Sequence, residues 1–290
     1  MVTYRIADIS TKVSTNGRAE TVTADSFITL FHNSASMSLG ETLPATDVFA
    51  DDLFEEERVL VTGGGTGIGE HIALAFADHG ADVAIASRNM EHLEPVAKEI
   101  ENRGVEACAT TVDIRDRDEV DEMRDTVIDE LGGIDVLINN AGANFLCPAE
   151  QMSENGWRAV VGTVLDGTAY CSFSVGEHMI DNDGGSIISM GASNSVEGAP
   201  YHAHSGAGKA GLHNLMQSLA AEWADHGIRC NTVAPGIILT EAIDEILPEN
   251  YRDEVRGHLA ADRLGDAEDC VPVVLFLASD AAAYVTGSYY

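Results

Sequence analysis

From about residue 58 onward, apolar positions follow two alternating rhythms. Short unbroken runs at Val59, Leu60 and Val61 and over residues 82–87, 105–112, 134–138, 186–190 and 228–233 have the length of strands buried on both faces. Between them, apolar residues recur at helical spacing. Ile72, Leu74, Ala75 and Phe76 open the first such stretch. Helices are expected next over 90–102 and 116–130, then a long one over 154–180 carrying Trp157, Val160, Val161, Val164, Tyr170 and Phe173, and another starting near Tyr201. This order predicts a single α/β domain built on a doubly wound parallel sheet, with its ligand crevice at the carboxyl ends of the strands.

Residues 1–42 lack this rhythm. They are rich in hydroxyl side chains, and only Ser26-Phe27-Ile28-Thr29-Leu30-Phe31 suggests a lone strand or turn. Two readings stand for this N-terminal extension. Either Met37 is the true start, or the segment is an arm that packs on the domain over 43–290 or on a neighbour.

Punctuation between the first strand and first helix carries the first chemistry. Thr62, Gly63, Gly64, Gly65, Thr66, Gly67, Ile68 and Gly69 form a glycine-rich strand-to-helix turn, and a second strand follows at βαβ spacing. Glycines let the backbone approach a pyrophosphate, and the free N–H groups at the helix start face its charge. A dinucleotide is the expected ligand. At the end of the second strand stand Ser87 and Arg88 instead of a carboxylate that would take the ribose hydroxyls, so NADPH is expected over NADH. Asp113, ending the third strand, is placed at the adenine edge or as a helix N-cap. Asn139, Asn140, Ala141 and Gly142 end the fourth strand, where amides hold strand ends in register and line the cofactor groove.

Composition changes the picture in one respect. The 290 residues include 48 acidic and 16 basic side chains, for a formal net charge of -32. Such a surface repels nucleic acid and anionic membrane, so neither is an expected partner. It also repels itself, except where molar salt shortens the Debye length to about 3 Å. Acids spread over nearly every expected helix suit a salt-rich cytoplasm. The five cysteines have no metal-ligand spacing and read as reduced thiols, and no metal is expected. Neither a signal segment nor an apolar run of membrane-spanning length occurs, which fits a cytoplasmic location.

With TGGGTGIG, NNAG, SGAGK and APG in hand, the chain from about residue 49 resembles the short-chain dehydrogenase/reductase family. AGANFLCPAEQMSENGW, TVLDGTAY and QSLAAEW are most similar to its 2,4-dienoyl-CoA reductase branch. The resemblance implies a Rossmann-type domain, usually tetrameric, that passes a hydride from NADPH to an acyl-CoA-type dienoyl thioester. Lys209 would bridge the nicotinamide ribose hydroxyls, Pro235 and Gly236 would turn over the nicotinamide, and Thr240 would meet the carboxamide or phosphates. Residues 237–263 would form a substrate lid, and residues 285–290 would begin the family's seventh strand, cut short where the sequence stops. Ketone-reducing members carry a tyrosine four residues before the lysine and a serine after the fifth strand; here these are Ser205 and Ala192. In the dienoyl branch the needed group is a donor to the thioester oxygen, which maps onto Asn144. A loop tyrosine of the mitochondrial type is replaced by Asn194, an amide able to donate to the same oxygen. The proton source stays open among Tyr201, Ser193, His202, His204 and a water. Two alternatives accompany this reading: a general alcohol or ketoacyl oxidoreductase with a displaced tyrosine such as Tyr201, and a non-catalytic NADP-binding sensor or assembly subunit.

Overall fold

The computed structural model describes residues 11–15, 18–22, 48–240, 259, 261 and 263–290. The chain divides into two units, Met1–Pro44 and Ala45–Tyr290. In the first, strands β1 (Thr11–Thr15) and β2 (Arg18–Val22) pair antiparallel, with Thr15 opposite Arg18. Apolar periodicity gave no sign of this hairpin, whose strands are built mostly of hydroxyl and charged residues. The expected strand or turn at 26–31 and the candidate start at Met37 lie outside the described residues.

In the second unit, β3 (Arg58–Thr62), β4 (Asp82–Ser87), β5 (Ala107–Thr111), β6 (Val136–Asn139), β7 (Gly185–Met190) and β8 (Ile228–Val233) form one sheet in the order β5-β4-β3-β6-β7-β8. Every pairing in it is parallel. Strand residues alternate between two cores. Val59 and Val61 pack with Ile72, Phe76, Val83 and Ile85 on one face, whereas Leu60 packs with Met123, Leu137 and Ile187 on the other. That two-sided burial is why the strands read as continuous apolar runs instead of alternating ones. Helices α1 (Gly67–Asp78), α2 (Met90–Glu101) and α8 (Val271–Ala278) cover the first face. The second is covered by α3 (Arg117–Leu131), α5 (Thr168–Asp181) and α7 (Ala203–Glu222).

Strand order places the site. The chain runs outward from β3 to β5, then returns through α3 to lay β6 on the free side of β3, with Thr62 opposite Asn139. The connections therefore diverge between β3 and β6 and leave a crevice at their carboxyl ends. At the opposite end, Arg58 closes the pair of strands, its Nε donating to Asp135 Oδ2 at 2.6 Å and its Nη2 to Oδ1 at 3.0 Å.

The helix expected over 154–180 is not uniform. It consists of α4 (Glu154–Val161), a π-helical turn over Gly162–Gly167, and α5. Thr163 and Thr168 donate their hydroxyls to the Ala159 and Val164 carbonyls, each at 2.9 Å, and such back-bonding loosens the regular ladder. Its apolar stripe divides accordingly: Val160 and Val164 are core, while Trp157 and Phe173 are each 40% exposed.

Residues 287–290 run beside β8. Gly287 N donates to Cys230 O at 2.7 Å, Thr232 N to Ser288 O at 2.9 Å and Tyr290 N to Thr232 O at 3.0 Å, with Thr232 and Tyr289 forming a parallel bridge. Of the expected lid, residues 241–258, 260 and 262 lie outside the described residues. Its two ends, β9 (Ile238–Leu239) and β10 (Gly265–Asp266), pair parallel. All five cysteines are free, and four of them are buried. Among the described residues no helix is long and apolar enough to cross a membrane.

Candidate active site

The glycine turn lies at the crevice between β3 and β6. Gly63 has φ +66, and a Cβ there would lie 2.9 Å from Ala141 Cα, so a larger residue is excluded by both conformation and space. At Gly69 an added Cβ would run into the Gly63 carbonyl oxygen. The first turn of α1 is thereby pressed directly onto the end of β3. Thr66, the N-cap, is exposed and its side chain makes no capping bond, which leaves the N–H groups of that first turn free of protein side-chain caps. Gly65 is buried, Ile68 packs against the core, and Thr240 stands over Gly67.

Thr62 and Asn140 bind this turn to β6. Thr62 Oγ1 donates to Ile138 O at 3.3 Å and accepts from the N–H groups of Asn140 and Ala141 at 3.1 and 3.2 Å. Its hydroxyl is thus fully engaged and the residue is 1% exposed, so its side chain ties the strand ends together. Asn140 Nδ2 donates to the carbonyls of Thr62 and Gly63, both at 3.1 Å, while Gly142 beyond it is exposed. Amides at this strand end do hold the register, as the sequence implied. Asn139, one residue earlier, faces inward and donates to Ser172 and Ser189 hydroxyls at 2.9 and 3.2 Å.

At the ends of β4 and β5, Ser87 Oγ accepts from Asn89 N at 3.4 Å, and Arg88 is exposed. Among the described residues Arg88 forms no ion pair, whereas Arg58, Arg103, Arg115, Arg117, Arg124 and Arg158 all do. Asp113 does not cap the following helix; Asp116 does, accepting from Asp118 N at 3.0 Å. Instead Arg115 Nε donates to Asp113 Oδ1 at 2.8 Å. Its hydrogen bonds, together with the charges of Arg115 and nearby Arg88, hold the Asp113 carboxyl down at about 2. Sequence reading missed this pairing, although the Asp-x-Arg spacing offered a signal for it.

Across the crevice, α7 presents Ser205 and Lys209 four residues apart, on one helical face. Lys209 Nζ donates to Met190 O at the end of β7, and burial lowers its pKa to about 8. Ser205 is buried. Asn194 opens the short helix α6 (Asn194–Glu197), and its Oδ1 is buried without a hydrogen-bond partner among the described residues. Its backbone carbonyl lies 3.3 Å from the position of a Cβ on Gly206, one residue from Ser205. Asn144 lies in the exposed loop after β6, which is held to the start of α7 at two points. Cys147 N donates to Tyr201 O at 3.1 Å, and the Phe145 ring meets His204 edge-on at 4.5 Å. The three segments bearing Asn144, Asn194 and Ser205 therefore converge on one corner of the molecule.

Of the open proton sources, Tyr201 is 56% exposed with φ +66, outside the helix expected to include it. Ser193 is exposed, and His202 Nδ1 lies 2.8 Å from Pro200 O. His204 is fully buried with both ring nitrogens unpartnered among the described residues, and burial lowers its pKa. Pro235 O accepts from Ser193 N at 3.3 Å, which ties the Pro235-Gly236 turn to the loop after β7.

This arrangement has relatives. A family model described as enoyl-(acyl carrier protein) reductase matches residues 63–290. The chain belongs to the short-chain dehydrogenase/reductase family. It is 37% identical over 237 residues to a Bacillus subtilis protein named a probable 2,4-dienoyl-CoA reductase, covering 80% of this chain and 93% of that one. A 3-oxoacyl-[acyl-carrier-protein] reductase of Thermotoga maritima is 36% identical, with 80% and 94% covered. The solved structure of a short-chain type dehydrogenase/reductase from Mycobacterium marinum superposes with a TM-score of 0.77 at 34% identity, covering 82% of this chain and 95% of that chain. As a short-chain oxidoreductase the protein takes a nicotinamide cofactor. Its own residues fit one: the turn runs too close to its neighbours for a Cβ at Gly63, Gly64 or Gly69, and the N-terminus of α1 beside it has N–H groups without side-chain caps.

Proposed function

We propose that the protein reduces an unsaturated acyl thioester of the 2,4-dienoyl-CoA type with NADPH. The observation that carries the proposal is the exchange at α7: Lys209 is kept against Met190 O, but Ser205 occupies the place four residues before it and Ala192 follows β7. A serine hydroxyl is far too weak an acid to protonate a developing alkoxide, so ordinary ketone reduction has no proton donor there. Reduction of a conjugated thioester does not need one at that oxygen. The overall identities, 37% and 36%, do not distinguish the two activities; this exchange favours the first.

When bound, NADPH supplies a hydride for the far end of the conjugated system. The protein's task is then to hold the negative charge that collects on the thioester oxygen and to deliver a proton to carbon afterwards. Asn144 is assigned as the donor to that oxygen, with Asn194 as a second amide. Asn194 would fill the role through the hydrogens on its Nδ2, the buried Oδ1 being an acceptor. Lys209 positions the cofactor ribose and raises the local positive potential, and Ser205 lines the same wall. On the cofactor side Gly63, Gly65, Thr66, Gly67, Ile68 and Gly69 take the pyrophosphate, while Asn140, Ala141 and Gly142 line the groove. Ser87 and Arg88 take the 2′-phosphate, Asp113 lies at the adenine edge, and Pro235, Gly236 and Thr240 cover the nicotinamide.

The reading extends to the setting. Residues 43–290 form the catalytic domain and 1–42 an extension. Exposed Trp157 and Phe173 support self-association to a homotetramer, and the charge of -32 supports work in a salt-rich cytoplasm. A second reading, an NADP-binding sensor, is favoured by the missing tyrosine and serine at Ser205 and Ala192. NADPH oxidation with 2,4-hexadienoyl-CoA decides between them, because a sensor binds the cofactor without turnover.

A further inference from the structure

We propose that Tyr289 is a positioning residue for the loop after β7, acting from the far end of the chain on the segment that carries Asn194. Its phenolic oxygen lies 2.8 Å from Ala192 O and 2.7 Å from Ser195 Oγ. The phenol donates its one hydrogen to the Ala192 carbonyl and accepts from the Ser195 hydroxyl, giving a directed chain of two hydrogen bonds. Ser195 N also donates to Ala192 O, at 2.9 Å, so both ends of the first turn of α6 close on the same carbonyl. Asn194 sits between the two tethered residues.

The tether has a fixed base. Tyr289 is bridged to Thr232 on β8, and its neighbours Ser288 and Tyr290 exchange backbone hydrogen bonds with Thr232 at 2.9 and 3.0 Å. The ring is held from α7 by His213, edge-on at 4.6 Å, whose Nδ1 lies 3.4 Å from Thr232 Oγ1. By contrast the loop has little to fix itself. The helix α6 is four residues long, its N-cap Ser193 makes no side-chain cap, and it ends at Gly198 with φ +65. A short helix with open ends is marginal without outside contacts, so the phenol, beside the Ser193 N–Pro235 O bond, fixes the segment that carries Asn194.

This role rests on the reading that the loop faces an acyl thioester, and the experiment separates the two. Tyr289→Phe removes both hydrogen bonds and keeps the ring on His213; Ser195→Ala removes one and leaves Tyr289 whole. Backbone amide exchange is followed in the full-length protein for Ser195 and Val196, with Gly63 to Gly69 as the internal reference. We expect Tyr289→Phe to speed exchange in the loop at least about tenfold, as loss of two hydrogen bonds should, and Ser195→Ala to speed it less. In steady state the KM for 2,4-hexadienoyl-CoA should rise and kcat fall, with the NADPH dissociation constant unchanged. Loop exchange equal to the parent in both variants overturns the tether. So does a parallel loss of NADPH binding in both, which would make the effect one of general stability. Faster loop exchange in a protein that turns over no dienoyl thioester would support the tether while refuting the reductase reading.

Discussion

The two sides of the crevice are built by different means. On the β3–β6 side, position is set by backbone: Gly63 touches Ala141, Gly69 is pressed onto Gly63, and Thr62 and Asn140 join the strand ends through main-chain partners. On the α7 side, position is set by side chains from distant segments, with Phe145 on His204, Lys209 on Met190 O, and Tyr289 on Ala192 and Ser195. The first half leaves no room for a Cβ at Gly63 or Gly69. The second rests on single side-chain contacts, each of which one substitution removes. The cofactor side is therefore the more constrained part of the crevice.

The strongest way to break this comparison is at Lys209, where the halves meet. Lys209→Ala should lower turnover of 2,4-hexadienoyl-CoA by about a thousandfold and also weaken NADPH binding, measured by fluorescence titration. Unchanged kinetics would remove the residue from the site. Asn144→Ala should act on one half alone, lowering kcat by about a hundredfold while the NADPH dissociation constant stays within error. A shift in that constant of similar size would place Asn144 with the cofactor instead.

How much of each half was legible in the sequence follows the same division. Val59 to Gly69 could be read because burial on two faces, tight turning and close backbone approach each demand residue types that stand out in a string. The parallel sheet, the crevice at its carboxyl ends and the register role of the strand-end amides followed from them. The α7 side was legible only through the family resemblance: it pointed to Lys209 and Ser205, but not to the burial of His204 or the reach of Tyr289. Tyr289 and Ala192 are separated by 97 positions, and nothing local to either marks the contact. Asp113 was placed correctly at a strand end, yet its pairing with Arg115 was overlooked because strand-end acids invite a ligand or a cap as the first explanation. Thr62 was read as the start of the glycine turn, and nothing local marked its hydroxyl as the joint to Ile138, Asn140 and Ala141. The π-turn over Gly162–Gly167 had no periodicity signal, since a single widened turn leaves the apolar stripe nearly in phase.

Smaller effects sharpen the comparison on the cofactor side. Arg88→Asp should shift the ratio of kcat/KM for NADPH over NADH toward NADH by about tenfold, the loss expected for one charge-assisted contact. An unaltered ratio would mean that another group reads the 2′-phosphate. The smallest effect is in the pH profile. Burial holds Lys209 near 8, so kcat/KM should be flat below that value and fall to half its plateau at about pH 8, as the ammonium is lost. Stability should move the other way. The folded pKa lies below the 10.5 of the free amine, so between about 8 and 10.5 the unfolded chain binds more protons and the Lys209 contribution rises with pH. A basic limb that persists in Lys209→Arg would assign it to another group.

The central claim is that the α7 side, without its tyrosine, reduces a conjugated thioester. Its most direct test is loss of NADPH absorbance with 2,4-hexadienoyl-CoA, run in molar potassium chloride and in dilute buffer, beside a 3-oxoacyl thioester under the same conditions. The account predicts turnover of the dienoyl substrate in salt, less in dilute buffer as the acidic surface loses its screening, and none of the 3-oxoacyl substrate in either. Reduction of the 3-oxoacyl thioester, or NADPH binding without turnover of either substrate in salt, would contradict it.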